Sequence, residues 1–124
     1  MTEIAYDAWE IGTASISVRT EMHSCKFRLG RITSGKQKVL QGFFIALTLP
    51  NGDIVRGEDR RSLRKALFQA AEILSEKGMI LCAVGLSNRF SENEESRNTG
   101  MGFVPASDRA VHMLSFRLGG SEND

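Results

Sequence analysis

Apolar and polar residues alternate through the first half of the chain in the way that β-strands do. Residues 13–19 place Ala14, Ile16 and Val18 on one side and polar side chains on the other, and residues 25–29 repeat this pattern. A period of two residues is typical of a strand with one buried face. The phase changes at Gly30, because Ile32 is out of step with the preceding residues, so we expect a bulge or bend at this glycine.

Residues 39–49 are apolar on both alternating faces, which predicts a central strand that is covered on both sides. Residues 33–38 before it form a polar, basic turn. The sequence Pro50-Asn51-Gly52-Asp53 follows, and Asn-Gly is a strong hairpin signal because both central residues of the favoured turn have positive φ. Residues 54–56 should therefore return antiparallel to the central strand. Residues 4–11 are compatible with a strand or a short helix.

One helix is predicted between Asp59, as the N-cap, and Gly78, as the C′ residue. Its apolar residues recur at the spacing of a single buried stripe. They are Leu63, Ala66, Leu67, Ala70 and Leu74. The nearly continuous apolar run 79–86 predicts an interior strand under this helix, and residues 110–116 predict a last strand.

The order of strands, one helix and further strands indicates the α+β class rather than alternating βαβ units. We expect a mainly antiparallel sheet with one main helix packed on one face. With 124 residues, the chain has the length of one domain. We assign residues 1–118 to a single globular domain and residues 119–124 to a polar, frayed C-terminal tail.

The composition favours an ordinary globular domain over a membrane-spanning or secreted protein. Apolar residues make up 41% and charged residues 25%, as in ordinary globular domains, and the net charge is +1. No apolar run reaches the roughly 18 residues that a membrane-spanning helix needs. The N-terminus also lacks the basic-then-apolar order of a signal peptide, so we expect a cytoplasmic protein without membrane contact. Cys25 and Cys82 lie in apolar contexts, which predicts buried free thiols.

The sequence contains no complete motif for a cofactor-binding or metal-binding site. Gly100-Met101-Gly102 lacks the third glycine of a dinucleotide-binding loop and is interpreted as a flexible bend. His23 and Cys25 are spaced like metal ligands, but no second pair accompanies them. We therefore predict no cofactor and no metal.

An enzymatic alternative depends on the histidines. His23 and His112 are the only two in the chain, and a histidine beside basic groups can support acid–base chemistry. A small hydrolase would use His112 with Asp108 and Arg109 near one edge of the fold. The simpler interpretation of His112 is a hydrogen-bonded structural residue at the end of a sheet, and we predict that the protein is not an enzyme.

Two basic clusters are candidate anion-binding surfaces. The residues of the first form a hairpin without acidic groups, where contact with a phosphate backbone is conceivable. They are Lys26, Arg28, Arg31, Lys36 and Lys38. Phe27 points away from Lys26 and Arg28, so this face has no aromatic residue for base stacking.

The second cluster surrounds the start of the helix, where positive charge opposes the macrodipole. It contains Arg56, Arg60, Arg61, Arg64 and Lys65.

The polar stretch 87–109 is the most unusual segment, because connections longer than about 12–15 residues are uncommon in compact domains and are usually either functional or disordered. Its acidic run can steer a basic protein surface, and an aromatic residue beside this run can anchor it. Two arginines lie close to this run. The predicted partner-binding residues are Arg89, Phe90, Glu92, Glu94, Glu95 and Arg97.

The order of segments within residues 51–116 resembles that of small bacterial immunity proteins from contact-dependent growth inhibition and related polymorphic toxin systems. Five segments carry this resemblance, namely the Asn51-Gly52-Asp53 turn, the arginine-rich helix start, the apolar run 79–86, the polar segment 87–102 and the segment 108–114. It implies a cytoplasmic protein that binds one cognate toxin domain, often a nuclease, and occludes its active site. Under this resemblance the acidic run 92–95 would mimic phosphate, and Arg89, Phe90 and Arg97 would help to fix the register of the contact. The alternative is a small nucleic-acid-binding module that uses the basic hairpin 26–38.

Overall fold

The computed structural model describes residues 3–105 and 107–117 of the chain. Four strands follow one another as antiparallel neighbours, and they are β1 (Ile4–Val18), β2 (Glu21–Ser34), β3 (Val39–Thr48) and β4 (Ile54–Asp59). A short strand, β5 (Met79–Leu81), pairs with the end of β1. The sheet order is therefore β4-β3-β2-β1-β5, and the predicted antiparallel α+β fold is confirmed.

The helix α1 (Leu63–Glu76) begins one turn later than predicted. Its N-cap is Ser62, whose side chain accepts a hydrogen bond from the Lys65 amide. The assignment of Asp59 as N-cap was wrong, because Asp59 is the last residue of β4. Its carboxylate accepts hydrogen bonds from the amides of Arg61 and Ser62 and so fixes the turn into the helix. The predicted C′ residue is confirmed, since Gly78 follows the C-cap with a φ of 78°.

The predicted stripe of α1 is fully buried, which confirms that the helix packs through this face on the sheet. β4 lies directly under the helix. A Cβ atom at Gly57 would come within 2.0 Å of the Ala66 carbonyl oxygen and 2.6 Å of the Ala70 amide nitrogen. Only glycine therefore allows the helix backbone to approach β4 this closely.

The bulge or bend that the sequence predicts at Gly30 of β2 is found instead in the neighbouring strand β1. Pairing between β1 and β2 shifts register between Ala8 and Glu10, which makes Trp9 the extra residue of a bulge in β1. Gly30 itself pairs regularly with Phe44 of β3. A Cβ atom there would come within 2.0 Å of the Asp7 carbonyl oxygen, so this glycine permits close contact with the bulged strand.

The predicted hairpin between β3 and β4 is confirmed, although its turn differs in detail. Gly52 has a φ of 92°, whereas Asn51 stays outside the left-handed region. The Gly52 amide donates to the Leu49 carbonyl, which closes a turn around Pro50 and Asn51. Proline at the first central position suits this turn, and one left-handed residue is enough to complete it.

The central position of β3 is also confirmed, with its two faces covered to different extents. Helix α1 covers one face, and on the other face Phe44 is 2% exposed because Tyr6 packs edge-on against it, with ring centroids 5.3 Å apart. Arg56 lies 4.1 Å above the Tyr6 ring. Beyond this cluster the second face is open, and Ile11 and Ile54 are exposed on it.

Residues 79–86 do not form one interior strand. β5 covers only the first three of them and lies at the sheet edge, where Ile80 is 51% exposed. A short 3-10 helix, Val84–Leu86, follows. The Gly85 amide donates to the carbonyl of Met113, and the side chains of Met113 and Leu67 fill the space beside Gly85. The second half of this segment is therefore not a strand but a 3-10 helix that packs against residues distant in sequence.

The predicted last strand, residues 110–116, is reduced to β7 (Val111–His112). It pairs with β6 (Met101–Gly102) in a separate two-stranded sheet, and Phe116 forms an isolated bridge with Ala83. The predicted frayed tail, residues 119–124, lies outside the described residues.

Candidate functional site

Residues 87–100, which we call the polar loop, fold against the start of α1 and are held there by Arg64. Its Nε donates to the Gly85 carbonyl at 2.9 Å, and its Nη2 donates to the Ser87 carbonyl at 2.7 Å. Its guanidinium lies 5.4 Å from the ring centroid of Phe68 and 5.0 Å from that of Phe90. Burial lowers the pKa of Arg64, and the nearby Glu92 carboxylate opposes this shift.

Asn98 makes a second connection between the polar loop and the helix. Its Oδ1 accepts from the Leu63 amide at 2.8 Å, and its Nδ2 donates to the Arg61 carbonyl at 3.2 Å. Its φ of 60° is left-handed, a conformation that asparagine tolerates better than most residues. Arg64 and Asn98 therefore attach the loop to the start of the helix at two points.

The middle of the polar loop is closed by its own hydrogen bonds. The Asn93 amide donates to Ser96 Oγ at 2.9 Å, and the Ser96 amide donates to Asn93 Oδ1 at 2.8 Å. Glu92 is half-buried, and its carboxylate accepts from the Asn98 amide at 3.4 Å. Serine and asparagine commonly form such local turns, so the loop has a defined shape despite its polar composition.

Phe90 does not have the exposed position that an anchor for a partner requires. It is 2% exposed and belongs to the hydrophobic core. A Cβ atom at Gly102 would come within 2.2 Å of Cζ of Phe90, so this glycine provides the space for the ring. The interpretation of Gly100-Met101-Gly102 as only a flexible bend missed this role, because the contact joins residues that are distant along the chain.

Four of the six predicted contact residues are exposed on the polar loop, and they are Arg89, Glu94, Glu95 and Arg97. Glu92 contributes its half-buried carboxylate beside them. This surface carries charges of both signs on a fixed backbone. Such an arrangement can recognise a complementary charged surface on another macromolecule.

His112 is connected to Glu10 rather than to the acidic residue that the hydrolase hypothesis assigned to it. Its Nε2 lies 2.8 Å from Glu10 Oε1, and its Nδ1 accepts from the Leu114 amide at 3.0 Å. Both ring nitrogens therefore have partners. Asp108 and Arg109 are exposed. The other histidine, His23, is exposed 3.7 Å from Glu21.

The five basic residues of the hairpin 26–38 do not share one surface. Lys26 and Arg28 alternate onto the open face of the sheet, whereas Arg31 lies on the opposite face, 5.4 Å from the Trp9 ring centroid. Lys36 and Lys38 lie in the turn region before β3. The register places Arg28 opposite Ala46, which is in turn opposite Arg56, so the open face gains a basic residue from β4.

The second basic cluster is also divided. Arg56 pairs with Glu58 on the open sheet face, with 2.8 Å between Nε and Oε2, and Arg64 holds the polar loop. Its exposed members at the helix start are Arg60, Arg61 and Lys65. An anion at this helix start would compete with Asn98 for the Leu63 amide and with Ser62 for the Lys65 amide.

Comparisons of the chain with protein families, with curated proteins and with solved structures find no significant match. Within the part of the chain that the structure describes, no helix has the length and apolar character that a bilayer crossing requires. Residues 3–105 and 107–117 also contain no group of three or more His, Cys, Asp or Glu side chains placed to hold a metal ion.

Proposed function

We propose that the protein is an immunity protein that binds and neutralises a cognate toxin domain through the polar loop. The observation that supports this function best is the fixation of the loop by Arg64 and Asn98, which leaves four of its five charged side chains exposed. A loop that is ordered before binding loses little conformational entropy in the complex. Binding energy is then not used to order the contact surface.

The proposed contact residues have two roles. Arg89, Glu94, Glu95 and Arg97 touch the toxin, and Glu92 positions the loop through the Asn98 amide while contributing charge. Phe90 acts from inside as a packing residue. The carboxylates would occupy a basic surface of a nuclease in place of nucleic-acid phosphates. The protein would act stoichiometrically in the cytoplasm without a cofactor.

The proposal predicts that a gene adjacent to that of this protein encodes the toxin domain, and the experiment uses that domain. Association is measured by stopped flow at low ionic strength for the wild type and for the Glu94→Lys/Glu95→Lys variant. We expect at least a tenfold loss in association rate for the variant, because two attractions become repulsions. The control is Glu72→Lys/Glu76→Lys, which makes the same charge change at exposed positions of α1. Equal losses in both variants would show that only net charge matters, and no loss in either would exclude the loop as the contact surface.

Nucleic-acid binding on the open sheet face is the second candidate function. The register that places Lys26, Arg28 and Arg56 on this face favours it, because adjacent cations can follow a phosphate backbone. The test is a titration of fluorescent single-stranded and duplex oligonucleotides at several salt concentrations. Binding that weakens with salt and is lost in Lys26→Glu/Arg28→Glu would support this function. Absence of binding at low salt would exclude it.

A further inference from the structure

A cavity of about 420 Å³ opens at the end of the sheet that contains the β1 bulge. It lies between the first part of β1 and the segment around the β2–β3 turn. Its walls contain both charged and apolar side chains, among them Asp7, Trp9, Arg31, Thr33, Lys38 and Leu40. Its volume is within the range of small-molecule sites.

The bulge gives this cavity its aromatic wall. As the extra residue of β1, Trp9 reaches the core residue Phe43, with ring centroids 6.4 Å apart and an angle of 84° between the rings. Trp9 remains 39% exposed, and Leu40 on the other side of the cavity is 52% exposed. Two partly exposed apolar side chains therefore line the same cavity.

The charges around the cavity are unequal. Arg31 lies 5.4 Å from the Trp9 ring centroid, and among the described residues neither Arg31 nor Lys38 has a carboxylate within 4.0 Å. Asp7 is the acidic residue of the lining, and its Oδ2 accepts from the Thr33 hydroxyl at 2.9 Å. Two cations against one anion leave the cavity with a formal charge of +1.

The backbone holds one of these cations in an uncommon conformation. Lys38 has a φ of 53°, a left-handed value that is strained for a residue with a side chain. The Lys38 amide donates to the Gly35 carbonyl at 3.2 Å, which closes the turn that presents its side chain. The position of this ammonium group at the cavity thus depends on a defined turn.

We propose that the cavity binds a small carboxylate that carries an apolar group. The carboxylate would lie between Arg31 and Lys38, and the apolar group would lie against Trp9 and Leu40. A neutral apolar molecule would form no ion pair with either cation, whereas an inorganic anion would leave the apolar walls exposed to water. This site is separate from the polar loop and does not depend on the proposed immunity function.

Trp9 is the only tryptophan of the chain, so its fluorescence reports directly on the cavity. The purified protein is titrated with hexanoate, with hexanol and with acetate at constant ionic strength. We expect a saturable fluorescence change with hexanoate and at least tenfold weaker responses to the other two probes. Arg31→Gln should weaken hexanoate binding at least tenfold. Lys36→Gln, in the same turn but outside the lining, should leave it unchanged.

Several results would overturn the proposal. A lack of saturation at concentrations up to roughly 100 mM would exclude a useful site. Equal affinity for hexanoate and hexanol would exclude a role of the cations, and equal affinity for hexanoate and acetate would exclude a role of the apolar walls. Amide chemical shifts that change mainly outside the cavity would place the bound probe elsewhere. A circular dichroism spectrum identical to that of the wild type verifies that Arg31→Gln is folded.

Discussion

The side-chain oxygen of Asn98 accepts a 2.8 Å hydrogen bond from the backbone amide of Leu63, the first residue of α1. The two residues are 35 positions apart in the chain. The first amides of a helix have no partners within the helix and need external acceptors. One side chain of the polar loop therefore completes the helix start, so the loop and the helix should stabilise each other.

Asn98→Ala should lower the free energy of unfolding by about 1–2 kcal/mol, because it removes the acceptor for the Leu63 amide and places alanine at a φ of 60°. Asn98→Gly isolates the first effect, since glycine tolerates this φ. Asn98→Asp loses the donor to the Arg61 carbonyl, but it retains the acceptor for the Leu63 amide and adds a charge that is favourable near a helix N-terminus. Urea unfolding should rank Asp above Gly and Gly above Ala. A ranking with Gly equal to the wild type would contradict a role for the hydrogen bond.

Sequence periodicity predicted the elements that local patterns determine. The stripe from Leu63 to Leu74 and the alternation over residues 13–19 each reflect one buried face, so burial and pattern agree. The apolar run 79–86 was assigned wrongly because continuous hydrophobicity does not distinguish a strand from another buried conformation. Gly85 turns there to pack against Met113, a contact between residues far apart in sequence.

The candidate site was less predictable than the fold. Four of the five charged residues of the polar loop are exposed as expected, but the contacts that shape the loop join residues distant in sequence. Phe90 with Gly102 and Asn98 with Leu63 are examples, and neither pair has a local sequence signal. A single sequence therefore predicted that the polar loop is unusual without predicting which of its residues face inward.

Arg64 should be among the most important polar residues for stability. Arg64→Met removes two hydrogen bonds to carbonyls and should cost about 2–3 kcal/mol in urea unfolding. Arg64→Lys should recover only part of this loss, because an ammonium group cannot reproduce the planar fork or its stacking on Phe68 and Phe90.

The matched control for Arg64 is Lys65→Met, which removes one positive charge at the neighbouring exposed position. It should change the free energy of unfolding by less than about 0.5 kcal/mol. Hydrogen exchange adds a local measurement, since the amides of the polar loop should exchange faster in Arg64→Met than in Lys65→Met. Equal stability of the Met and Lys variants of Arg64 would contradict the importance of the guanidinium hydrogen bonds.

Gly57→Ala tests the close packing of α1 on β4. The added methyl group would lie 2.0 Å from the Ala66 carbonyl oxygen, and because this atom is part of the helix backbone the whole helix must move. We expect a loss of about 3 kcal/mol or more in thermal or urea unfolding. Gly78→Ala is the control, because its φ of 78° is strained for alanine but no atom lies within 4 Å of the added group. Its cost should be about 1 kcal/mol, and equal costs at the two positions would contradict the proposed tight packing.

Burial of Cys25 predicts how stability changes at alkaline pH. Burial raises the pKa of this thiol above its ordinary value of 9.0, and a backbone hydrogen bond with Ala14 offsets part of the shift. The folded state therefore retains its proton at a pH where the unfolded chain releases it, so stability should be constant below about pH 8.5 and fall as pH rises through 9 and beyond. Urea unfolding as a function of pH should show a smaller alkaline decline in Cys25→Ala, despite its lower stability at neutral pH.

Tyr6 also contributes to the alkaline decline, because burial and the Glu58 carboxylate raise its pKa. Its contribution begins near its ordinary pKa of 10.0, and Tyr6→Phe distinguishes this contribution from that of Cys25. Parallel pH profiles for the wild type and Cys25→Ala between pH 8 and 10 would show that the thiol is not responsible.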